Sequence, residues 1–72
     1  MPNFETLAVV ALLRDVPEHG LKRGQVGTIV EVLSGDVAEV EFVDNDGRTY
    51  AMATLPSEAL IRLHHEPLRT AA

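Results

Sequence analysis

The clearest pattern of apolar and polar positions in this chain runs from Val37 to Val43. Ala38, Val40 and Phe42 take alternate places, with Glu39 and Glu41 between them. Successive side chains of a strand point to opposite faces, so the three apolar residues are expected inside and the two glutamates in water. A second run, Thr28–Leu33, precedes it. Val, Ile and Phe dominate both runs, as pleated and half-buried surfaces prefer. In Thr28–Leu33 the faces would be Thr28, Val30 and Val32 against Ile29, Glu31 and Leu33. Both carry apolar residues, so this strand is expected to bend and to serve two parts of a core.

Turn residues fence these runs. Gly24 and Gly27 stand ahead of the first, Ser34-Gly35-Asp36 between the two, and Asp44-Asn45-Asp46-Gly47 after the second. Gly27 and Gly47 are expected to be required by backbone geometry, through positive φ or close approach.

The remaining elements are read in the same way. Ala8–Leu13 is almost wholly apolar, and its length and the Asp15–Pro17 breaker favour a buried strand. The rival is a short helix starting near Asn3. Residues 1–6 are expected to be a loose lead-in. Asp15–Gln25 is a long connection that Leu21 should pin to the core. Arg48–Leu55 should be a fourth strand, with Ala51, Ala53 and Leu55 on one face and Tyr50, Met52 and Thr54 on the other. Pro56–Leu60 predicts one helical turn, with Ser57 as its cap. Leu60–Leu63 should be the last strand, and 64–72 a frayed tail. The expected core is Val10, Leu12, Leu21, Val30, Val32, Val40, Phe42, Ala51, Ala53, Leu60 and Leu63.

Five short strands, a long first loop, tight hairpins and a helical turn before the last strand follow the order of an SH3-like small barrel. The expected fold class is therefore all-β and five-stranded. Residues 1–72 are expected to form a single domain, with a core at about 8–63. Closing a sheet this small protects most of its edges.

Composition narrows the chemistry. The chain has 72 residues, 46% of them hydrophobic, and no cysteine. It can build a core, but it has no disulfide and no thiolate for zinc or nucleophilic attack. Its formal charge is −5, which disfavours nucleic acid and anionic membrane and suits a basic protein partner. The apolar run at Leu7–Leu13 is too short to span a bilayer, and its first basic residue follows it, so a cytoplasmic protein is expected.

No group of residues rises to a catalytic signature. Asp44–Gly47 misses calcium-loop spacing, because the bidentate position falls on Ala53. His64 and His65 are neighbours on extended chain and point apart. Asp15, Glu18 and His19 share the long loop, yet no nucleophile stands with them. The expectation is a protein that is not an enzyme and holds no metal or cofactor. A peptide groove of the SH3 type needs more aromatics than Tyr50, Phe4 and Phe42 can supply.

Partner binding is the function that remains. Glu31, Glu39 and Glu41 would form an acidic patch, and Glu18, His19, Lys22 and Arg23 a second contact surface on the long loop. The expected partner is a protein, basic and encoded nearby. A homodimer and a structural subunit of a larger complex stay open. So does an RNA-binding barrel using Lys22, Arg23 and Arg48, although Glu31, Glu39 and Glu41 oppose it.

Three stretches carry a resemblance: Leu12-x-x-Asp15-x-Pro17-Glu18, Leu21-x-x-Gly24-x-x-Gly27-Thr28-Ile29-Val30, and Val40-Glu41-Phe42-x-Asp44-x-x-Gly47-Arg48-Thr49. From about Val9 to Leu63 the chain resembles a family of small bacterial proteins catalogued as a domain of unknown function. The resemblance implies a compact SH3-like barrel. It also implies a likeness to the small members of paired loci, where one product binds and restrains another, as antitoxins and immunity proteins do. It brings no catalytic residues.

Overall fold

The computed structural model describes residues 4–68. Its strands are β1 (Val9–Leu12), β2 (Val26–Ser34), β3 (Val37–Val43), β4 (Thr49–Pro56) and β5 (Leu60–Arg62). Short 3-10 turns at Pro17–His19 and Ser57–Ala59 precede β2 and β5. All pairings are antiparallel and build one open sheet, in the order β4-β3-β2-β1-β5. The protein is thus all-β, with β4 and β5 at the sheet's edges. The apolar segment at Ala8–Leu13 forms a strand, not a helix.

The inner face holds the core. Phe42 is its largest fully buried side chain, in one cluster with Val10, Leu12, Val16, Leu21, Ile29, Val40, Ala53 and Leu55. The alternation in β3 appears as expected, with Ala38, Val40 and Phe42 buried. β4 buries Ala53 and Leu55, and Ala51 is half-buried against the same cluster. Leu21 pins the long connection: it bridges Val16, whose amide donates to the Leu21 carbonyl at 2.8 Å. Val16, not anticipated as core, is buried with it.

The expected core needs correction at three positions. Val30 is only half-buried and Ile29 takes its place inside. The cause is twofold. Gly27 pairs with buried Val10 and Ile29 with buried Val40, so both face inward. A register shift between Ile29 and Glu31 then reverses the alternation, setting Glu31 opposite Glu39 and Val32 opposite Ala38. Val32 regains the inner side but remains exposed near the hairpin end. Leu63 is also exposed, because Leu60 is already inside and a residue three places along a strand points the other way.

Two glycines carry geometric demands. A Cβ on Gly27 would stand 2.7 Å from Val40 Cγ1 and 2.9 Å from the Glu41 carbonyl oxygen. Gly47 has φ +81°. It ends the β3–β4 turn, where the Asp44 carboxylate accepts from the amides of Asp46 at 2.9 Å and Arg48 at 3.0 Å. Asp44–Gly47 is therefore a hairpin turn tied by its own aspartate.

Ser57 does not cap the second 3-10 turn; Pro56 holds that position and no side chain bonds there. The Ser57 amide instead donates to the Asp36 carbonyl at 2.7 Å, tying the turn to the β2–β3 hairpin. The lead-in is less loose than expected: Phe4 packs on the core, and Glu5 pairs with Arg62 at 3.0 Å. Other parts of the lead-in and tail expectations fall on residues 1–3 and 69–72, which lie outside the described residues.

Candidate functional site

The acidic row is assembled by strand register. Glu31 of β2 lies directly opposite Glu39 of β3, and Glu39 lies opposite Thr54 of β4. Glu41 is two residues along β3, on the same outer face, opposite Thr28 and Met52. Directly opposed residues of an antiparallel pair are nearest neighbours, so like charges there repel. The structure relieves this only in part. Thr54 donates its hydroxyl to Glu39, and Thr49 donates to Glu41. Both glutamates are half-buried, while Glu31 is exposed. A carboxylate has about four acceptor sites, so one hydroxyl fixes its orientation and leaves it able to take a cationic donor.

Among the described residues one ion pair forms, Arg62 with Glu5, and it involves none of these three. The result is an outward-facing acidic row on β2 and β3.

The second set of expected contact residues lies elsewhere. Glu18 and His19 sit on the first 3-10 turn, in the connection from the end of β1 to the start of β2. Glu31 is toward the other end of β2, so the loop and the acidic row do not form one site. The loop lies against β4, and Gln25 Nε2 donates to Tyr50 Oη at 3.1 Å. Lys22 and Arg23 are exposed, but their neighbourhood is not simply basic. The Arg23 amide donates to Asp15 Oδ1 at 2.8 Å, and the Lys22 amide to Gln25 Oε1 at 2.6 Å. Arg48 is beside Asp44 and Asp46 in the β3–β4 turn.

A partly open depression lies at the hairpin end, lined by Phe4, Val32, Asp36 and Ser57 among others. It contains none of Asp15, Glu18 and His19. His64 and His65 follow β5 and are exposed. Among the described residues no three His, Asp or Glu side chains converge as a metal-binding set, and no helix is long and apolar enough to cross a membrane.

Sequence reasoning missed two features. Thr49 and Thr54 orient the acidic row: the β3–β4 register sets Thr54 against Glu39, and Thr49 reaches Glu41 through its hydroxyl. Val9 of β1 and Leu13 just after it are also exposed, in a segment expected to form a buried strand.

An all-β chain with one five-stranded antiparallel sheet and an acidic outer row defines the class. The chain belongs to the family described as domain of unknown function DUF4926, whose profile matches residues 6–62. No curated protein and no solved structure matches it.

Proposed function

We propose that this chain is a small SH3-like barrel that acts as a non-catalytic protein-binding module, the acidic, neutralising member of a two-gene pair. The barrel reading is supported by the strand order, in which β1 joins β5 to β2 and the meander β2-β3-β4 continues outward. The loop laid against β4 and the 3-10 turn ahead of β5 fit the same plan. The observation that carries the functional reading is the acidic row. Glu31 opposes Glu39 in register, Glu41 shares their face, and none is in an ion pair among the described residues. Like charges held together on a rigid sheet favour a basic partner and disfavour phosphate backbones.

Affinity capture of the tagged protein from its own cells, at low and high salt, tests this. The expected result is a basic protein that is retained at low salt and released as salt rises. Changing Glu39 and Glu41 together to Lys should slow its association and weaken the salt dependence, with the fold intact. Recovery of RNA without protein would overturn the reading. It would favour instead an RNA-binding barrel using Lys22, Arg23 and Arg48.

A further inference from the structure

The outer face carries a second feature beside the acidic row. β1 buries Val10 and Leu12 and turns Val9 and the half-buried Ala11 outward, with Leu13 exposed just beyond it. Ala11 lies opposite Ile61 of β5 on one side and Val26 of β2 on the other. The Leu63 amide donates to the Val9 carbonyl at 2.9 Å, which sets Leu63 beside Val9 in the next row. Opposed residues share a face, so these side chains form one apolar patch across three strands. Ile61 and Val26 are 48% and 46% exposed, so no described segment covers the patch.

Its dimensions limit what fits. Two strand spacings make it about 10 Å wide, close to the roughly 10–12 Å diameter of an α-helix with its side chains. Its border is asymmetric. In the row of Leu63 and Val9, the next positions are Thr28 and then Glu41. Glu39 and Glu31 lie in the row beyond. Glu41 thus stands at one corner of the patch with Glu39 and Glu31 past it, while exposed Val43, two residues along β3, extends the apolar side.

We propose that the patch and the acidic row together form a docking surface for an amphipathic helix of the partner protein. The helix lies along β1 and β2, with an apolar stripe on Val9, Ala11, Val26 and Ile61 and with Lys or Arg on the flank that overhangs β3. This inference rests on the protein-binding reading and names the partner's chemistry. Charge complementarity selects this occupant over a second copy, which would add another −5 and another acidic row to the same interface.

The test uses the full chain and three synthetic helical peptides: one with a leucine stripe and lysine flank, one with the leucines changed to serine, and one with the lysines changed to glutamate. Amide shifts of the ¹⁵N-labelled protein report the site. The leucine–lysine peptide should move Val9, Ala11, Val26, Ile61, Glu39 and Glu41, and should bind at least about tenfold tighter than either control. Val9→Ser with Ile61→Ser, and separately Glu39→Gln with Glu41→Gln, should each weaken it about tenfold. Equal affinity for the leucine and serine peptides would overturn the proposal, since charge alone would then suffice. Shifts confined to the Asp15–Gln25 loop or the β4 edge would also overturn it. Either result leaves a basic partner standing. No binding by any lysine-bearing peptide overturns the helix proposal, and the protein-binding reading falls with it only if capture from cells also recovers no basic protein. A dimer in sedimentation that Ile61→Ser abolishes would give the face to a second copy.

Discussion

Phe42 is the largest core side chain and sits next to the end of β3. It is fully buried, and Tyr50 flanks it with ring centroids 6.3 Å apart. Truncating it removes a large apolar group and leaves a cavity that strands cannot readily close. Phe42→Ala should cost about 3–5 kcal/mol, enough to unfold much of a small domain, as a denaturant titration would measure. Gly27 poses the opposite problem. Its missing Cβ is the space that Val40 and the Glu41 carbonyl occupy, and that carbonyl belongs to the backbone of β3. Gly27→Ala should destabilise by about 1–3 kcal/mol through overpacking. At Gly47 there is open space but φ is +81°, so Gly47→Ala should cost about 1 kcal/mol or more through backbone strain alone. Thermal unfolding of the two variants, with a structure of each, separates these causes: β3 should shift only in the first.

At the scale of the element, β2 is where most of the interest lies. Its register shift puts Glu31 against Glu39, a repulsive cross-strand pair on the outer face. Glu31→Lys should therefore raise stability by about 0.2–1 kcal/mol while weakening capture of a basic partner. A variant that gains neither stability nor loses binding would show the row to be inert. β2 also marks the limit of what the pattern of residues reveals. β3 was legible to the residue because its alternation is pure. β2 was legible only in part: apolar residues on both faces pointed to a bend, but not to the register shift after Ile29. β1 was legible in its inner pair, Val10 and Leu12, but an all-apolar run gives no sign that Val9 and Leu13 stand exposed. Thr54 was visible as an outward residue, yet only the pairing with Glu39 gives it a role. Gly47 was legible because turn chemistry is local, whereas the need for Gly27 comes from its contact with β3.

Across the whole molecule, the sheet order bears on how the chain folds. β2, β3 and β4 follow one another through short turns, so their pairing closes small loops. β1 and β5 come from opposite ends of the described chain, and Val10 must find Arg62 across everything between. Loop-closure entropy grows with the length of chain enclosed, so the β1–β5 ladder should form after the central meander. Substitutions at Val40 and Ala53 should then slow folding, whereas those at Val10 and Leu60 should mainly speed unfolding. Stopped-flow chevrons of the four variants would reveal the difference. Amides of β5 should also exchange with solvent before those of β3.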